Sequence, residues 1–108
     1  MRTKRSELIE INLYLGQEMH TQLQRLQDAG LSMSAVARLA VRKCAGMSLD
    51  ADDSVSTPKR VLLYLHPDDA KQIEQIAAQE GERSKSSILR RLITTYLRIN
   101  ASAISTMF

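Results

Sequence analysis

The chain has 108 residues, with 15 Lys and Arg against 12 Asp and Glu, a single cysteine and a pI near 9.3. That length makes one ordinary domain or two very small ones, and a unit of about fifty residues rarely buries enough apolar surface to fold alone. The lone Cys44 excludes a disulfide framework and a cysteine metal cluster, and no apolar run approaches the roughly 20 residues of a membrane span.

The opening M-R-T-K-R leads into a charged stretch and not into an apolar signal core, so a reducing, cytoplasmic setting with no membrane partner is expected. Charge is unevenly spread. Residues 1–46 and residues 59–108 each carry three more basic than acidic groups, and between them residues 47–58 carry only Asp50, Asp52 and Asp53. Two basic segments flank an acidic connector, a modest signal for a polyanionic partner.

Residues 1–6 form a basic arm. In Ile9 to Leu15 the residues Ile9, Ile11, Leu13 and Leu15 alternate with Glu10, Asn12 and Tyr14. A strict period of two predicts a strand whose register is well specified, because a one-residue slip would put every aliphatic side chain in water. Met19, Leu23 and Leu26 then recur at helical spacing over 18–29, and Gly30 suits the left-handed stop. Ser34 is the expected N-cap of a second helix over 35–45, with Val36, Leu39, Ala40 and Cys44 as its apolar stripe and Gly46 at its end.

Residues 47–58 read as an acidic linker closed by Pro58, able to span roughly 40 Å if extended. A second strand follows at 59–65, where Val61, Leu63 and Leu65 alternate with Arg60, Leu62 and Tyr64. Pro67, Asp68 and Asp69 suit the start of a helix, its apolar side is Ala70, Ile73, Ile76 and Ala77, and Gly81 stops it. Ser86 is the expected cap of a last helix over 87–99, with Ile88, Leu89, Leu92, Ile93, Tyr96 and Leu97 as its stripe. The tail, 100–108, is apolar without a clear period; extending the helix, packing on the core and fraying all remain open.

The halves repeat. Leu15 aligns with Leu65, Gly30 with Gly81, Ser32 with Ser84 and Ser34 with Ser86, at offsets of 50, 51, 52 and 52. Two β-α-α units on one chain are therefore expected, at 1–46 and 59–99. The quoted segments R-V-L-L-Y-L-H-P-D-D with G-E-R-S-K-S-S-I-L-R-R-L, and I-N-L-Y-L-G-Q-E with G-L-S-M-S-A-V-A-R-L-A, resemble the ribbon-helix-helix family of the MetJ/Arc/CopG class. With both units on one polypeptide, the chain resembles the less common tandem members, such as relaxosome accessory proteins of conjugative plasmids.

The resemblance implies an α+β, mostly helical fold in which the two units form an intramolecular pseudo-dimer with a two-stranded antiparallel ribbon. It implies a double-stranded DNA partner, with Glu10, Asn12 and Tyr14 from one strand and Arg60, Leu62 and Tyr64 from the other facing the major groove. It also implies phosphate contacts at the N-termini of the second helices, at Ser34 and Ala35 and at Ser86 and Ser87.

The chemistry suits these roles. Arg60 can pair bidentately with guanine and Asn12 with adenine, Glu10 can accept from cytosine N4, and Leu62 can meet a thymine methyl. The plain alternative for each is a solvent-facing strand residue. Lys4, Arg5, Arg83 and Lys85, with Arg90 and Arg91, can add phosphate contacts, whereas Arg38 and Arg42 read as a solvated face.

No catalytic, metal or cofactor constellation stands out: His20 and His66 are isolated, and Asp50, Asp52 and Asp53 lack the glycine and distal glutamate of a calcium loop. Transcriptional regulation and an accessory role at a plasmid transfer or partition site both fit, with further copies bound on adjacent DNA as a possible addition. The rival is an antitoxin or adaptor that binds a protein partner through the tail.

Overall fold

The computed structural model describes residues 8–50, 59–82 and 84–102. Six elements follow in the order β1 (Ile9–Leu15), α1 (Gln17–Asp28), α2 (Met33–Cys44), β2 (Lys59–Leu65), α3 (Pro67–Glu80) and α4 (Lys85–Ile99), so a β-α-α succession occurs twice. The basic arm and the tail from residue 103 onward lie outside the described residues, as do residues 51–58 of the connector.

The two strands pair with each other, antiparallel, from Ile9 opposite Leu65 to Leu15 opposite Lys59. Their alternation decides which face is buried. Leu13, Leu15, Leu63 and Leu65 lie fully buried beneath the ribbon, while Glu10, Asn12, Tyr14, Arg60 and Leu62 are exposed on the other face. A two-stranded ribbon is marginal by itself in water, and here the helices cover its inner face.

The helices cross over between the two repeats. α2 packs on β2, α4 packs on β1, and α2 and α4 pack against each other. One continuous core results, running from Leu13 and Leu15 through Val36, Ala40 and Cys44 to Ile88, Leu92 and Leu97. A radius of gyration of 13.3 Å agrees with one domain of this length, for which about 13 Å is expected. Two loosely tethered beads would be larger.

Helix ends explain the turns. After α1, Gly30 takes a φ of 104°, so that the Leu31 N–H can reach back to the Leu26 carbonyl at 2.8 Å and the Gly30 N–H to that of Gln27 at 3.0 Å. This closes the last turn in a way only glycine adopts without strain. Gly81, at a φ of 68°, does the same after α3, with the Glu82 N–H on the Ala77 carbonyl at 2.9 Å.

The N-caps correct the expectation. Ser32, not Ser34, caps α2 by accepting from the Ala35 N–H at 3.1 Å, and Ser84, not Ser86, caps α4 by accepting from the Ser87 N–H at 3.2 Å. Both helices accordingly start two residues earlier than expected. Serine pairs two residues apart are equally good caps, and packing chooses between them: the second serine of each pair is turned toward the ribbon.

The buried stripe of α2 also differs. Ala37 and Val41 are buried with Val36, Ala40 and Cys44, while Leu39 is only half-buried, because partners cover α2 on more than one side.

Candidate nucleic-acid interface

The pairing register makes the outer face nearly symmetric. Asn12 stands directly opposite Leu62, Glu10 opposite Tyr64 and Tyr14 opposite Arg60. At the offset of 50 that relates the strands, Asn12 and Leu62 are equivalent positions, so they mark the centre, and the other two pairs are mates about it. Of the large apolar side chains on this face, Tyr14 is 49% and Leu62 43% exposed, and Tyr64 is half-buried. Across the strands, Arg60 Nε donates to Asn12 Oδ1 at 3.0 Å.

The ribbon's edges are finished by the second helices. On the β2 edge the Tyr64 N–H donates to Ser34 Oγ at 3.0 Å, and the Tyr64 carbonyl accepts from Arg38 Nη1 at 2.9 Å. On the β1 edge Ser86 Oγ donates to the Asn12 carbonyl at 3.5 Å. Strand edges with open N–H and C=O groups invite other pairings; these contacts satisfy part of each edge and fix the starts of α2 and α4 beside it. The N-terminus of one helix therefore flanks each long edge of the ribbon.

These contacts reassign several residues. Ser34 and Ser86 hold the ribbon. The Ala35 and Ser87 N–H groups are taken by the caps, which leaves Met33 and Ser34 in α2, and Lys85 and Ser86 in α4, as first-turn N–H groups with no acceptor inside the helix. Lys85 Nζ lies 2.7 Å from Glu74 Oε1, and that hydrogen bond holds the Glu74 carboxyl below its ordinary range. Lys4, Arg5 and Arg83 lie outside the residues whose side chains are described.

Three arginines belong to the framework. Arg38 binds the Tyr64 carbonyl, and Arg42 reaches Asp69 through two bonds at 3.2 and 3.4 Å, so neither is part of a merely solvated face. Asp69 is only 4% exposed and also accepts from the His66 N–H at 3.3 Å, which makes it a cap for α3 as well as an ion-pair partner. Arg91 is committed to Glu80 at 3.5 Å and to the Asp50 carbonyl at 2.9 Å. Sequence reasoning missed Asp69 because an acid in a helix's first turn is usually exposed and favoured by the dipole alone.

The connector's first residues are anchored too. The Asp50 N–H donates to Thr95 Oγ1 at 2.9 Å, and Arg98 Nε donates to Asp50 Oδ2 at 2.8 Å. The Arg98 bond draws the Asp50 carboxyl below its usual range. Thr95 is fully buried, and its hydroxyl also donates to the Arg91 carbonyl at 2.8 Å. Among the described residues no cluster of His, Cys, Asp or Glu could hold a metal ion, and no helix is long and apolar enough to cross a membrane.

Comparison with known families places this architecture. Residues 59–99, which comprise β2, α3 and α4, match the family model described as ribbon-helix-helix protein, CopG family. The second β-α-α unit is thus similar to that family, whose members are in general DNA-binding transcription regulators and not enzymes. Comparison with curated proteins and with solved structures gives no match.

Proposed function

We propose that this chain is a tandem ribbon-helix-helix protein that binds duplex DNA sequence-specifically. Its units, 1–46 and 59–99 joined by the linker 47–58, act as an intramolecular pseudo-dimer, and the outer face of the ribbon enters the major groove. One observation carries this reading. A paired ribbon exposes Glu10, Asn12, Tyr14, Arg60 and Leu62 on one face and is flanked on both edges by helix N-termini.

A two-stranded ribbon fits the major groove, where base edges display a full donor–acceptor code. Helix N-termini on either side suit the two phosphate strands that border the groove, since free N–H groups and the dipole favour an anion. Groove reading falls to Glu10, Asn12, Tyr14, Arg60, Leu62 and Tyr64. Phosphate contact falls to the first turns of α2 and α4, through the N–H groups of Met33, Ser34, Lys85 and Ser86 that the caps at Ala35 and Ser87 leave free, with Lys4, Arg5, Arg83 and Lys85 adding charge. Lys85 must leave Glu74 to do so, an exchange of one exposed partner for another that costs little.

The role is that of a transcriptional regulator or of an accessory protein at a plasmid transfer or partition site. These differ in where the site lies, beside a promoter or beside a transfer origin. An antitoxin or adaptor role has one observation in its favour: Ile99, at the end of α4 where the tail departs, is 47% exposed.

Selection of bound duplexes from a random-sequence pool at about 150 mM salt, where purely phosphate-driven binding is weak, tests the main reading. Enrichment of a short motif is expected, and Arg60→Ala should change it. A pool that stays random, with a protein captured through the tail instead, would favour the adaptor.

A further inference from the structure

The bond from Arg60 Nε to Asn12 Oδ1, 3.0 Å long, has no counterpart in the other half of the ribbon. At the offset of 50, the position equivalent to Arg60 is Glu10 and that equivalent to Asn12 is Leu62. A carboxylate and a hydrocarbon cannot form this pair. The asymmetry therefore lies in the geometry of the exposed face as well as in its composition.

The consequence follows from the shape of a guanidinium. It is planar, and it is charged at any physiological pH. A bond through Nε fixes the direction of one N–H and so restrains the plane, and it leaves the end-on edge, Nη1 and Nη2, unused by that bond. Two parallel N–H groups on that edge match the O6 and N7 acceptors of guanine in the major groove. That bond takes one of the two lone pairs of Asn12 Oδ1 and ties the direction of the Asn12 amide to the arginine and not to a base of its own.

Resting on the groove-reading proposed above, we infer that Asn12 is a positioning residue that holds Arg60 to read a single guanine in one half of the site. The equivalent place in the other half takes no guanine. The protein then binds its site in one orientation, and the site is not a palindrome. This replaces the separate reading of adenine by Asn12 with one device made of two side chains from two strands.

The test uses the full chain and the motif enriched by wild-type protein, with every single base-pair change measured by competition at fixed salt. Wild type should lose roughly 5- to 150-fold in affinity when one off-centre guanine is replaced, the range of a good bidentate contact, and Arg60→Ala should abolish that preference. Asn12→Ala should weaken preference at that same base pair and at no other. Asn12→Asp keeps the acceptor for Nε but lacks the amide donor, so it should retain the guanine preference while binding all sequences more weakly through phosphate repulsion. Installing the missing half of the device with Glu10→Arg and Leu62→Asn together should add a second guanine at the symmetric place.

If Asn12→Ala and Asn12→Asp both relax a different base pair while the Arg60-dependent guanine stays, Asn12 reads a base itself and the inference falls with the groove-reading intact. A wild-type motif that is palindromic at the guanine positions also overturns it. A protein with no sequence preference at all overturns both this inference and the DNA-reading on which it rests.

Discussion

Asp69 is the residue whose environment differs most from what its place in the chain suggests. Its carboxylate is buried and receives the His66 N–H and the Arg42 guanidinium, so it joins α3, from one repeat, to α2, from the other. Removing it deletes a cap and the pair together. We expect Asp69→Ala to lower the unfolding free energy by about 1–2 kcal/mol, mostly through the cap, measured by urea denaturation. Arg42→Ala should cost less than about 1 kcal/mol, because Arg42 is itself 55% exposed and the pair is screened on that side.

The same scale separates the two serines of each pair. Ser32→Ala should cost about 1 kcal/mol as the lost cap of α2, readable as reduced helicity and a lower urea midpoint. Ser34→Ala should also destabilise, by about 1 kcal/mol, because the Tyr64 N–H at the ribbon edge loses its acceptor. If Ser34→Ala left stability unchanged and lowered only DNA affinity, its place in the framework would be wrong.

At the scale of elements, the strands and helices contribute different things. The strands' alternation presents one apolar face to the helices and one polar face outward. The helices supply the core: the stripe of α4, with Ile88, Leu89, Leu92 and Ile93 all fully buried, lies against α2. Leu92→Ala should therefore cost about 2–5 kcal/mol, as large-to-small changes in packed cores do, with the urea midpoint falling and the slope kept if unfolding stays two-state.

The contacts of Asp50 with Thr95, Arg91 and Arg98 fasten the start of the connector to α4. The Asp50 carboxyl is held below its ordinary range, so its pair with Arg98 supports the fold above the unfolded carboxyl value near 4 and fades as pH falls through the lower, folded value. Acid unfolding of the wild type below about pH 4 should therefore show a larger loss than that of Asp50→Asn, which no longer titrates there. Equal acid profiles for the two proteins would remove Asp50 from this account.

For the whole molecule, the decisive feature is that neither repeat keeps its own strand company. Among the described residues β1 pairs only with β2, α2 covers β2 and α4 covers β1. A fragment of residues 1–50 thus lacks a partner for its strand and for most of α2. We expect it to be unfolded alone, and to gain helical circular dichroism on mixing with a fragment of residues 59–108. A cooperative thermal transition in the isolated first fragment at low concentration would contradict a shared core. Size argues the same way, since units of about fifty residues bury too little apolar surface to be stable by themselves.

What the amino-acid order determined by itself was local and periodic. Alternation marked both strands, 3.6-residue spacing marked all four helices, and the glycines at 30 and 81 marked two helix ends, because each of these signals comes from neighbours along the chain. The repeat further identified which residues occupy equivalent positions. The tertiary structure alone decided the rest: which serine caps and which braces the ribbon, why Arg38, Arg42 and Arg91 serve the framework, and how Arg60 comes to lie on Asn12. Each of those outcomes depends on groups far apart in sequence, Arg38 with Tyr64, Arg42 with Asp69, Arg60 with Asn12, and a polar side chain able to serve several partners takes the one that packing brings within hydrogen-bond reach.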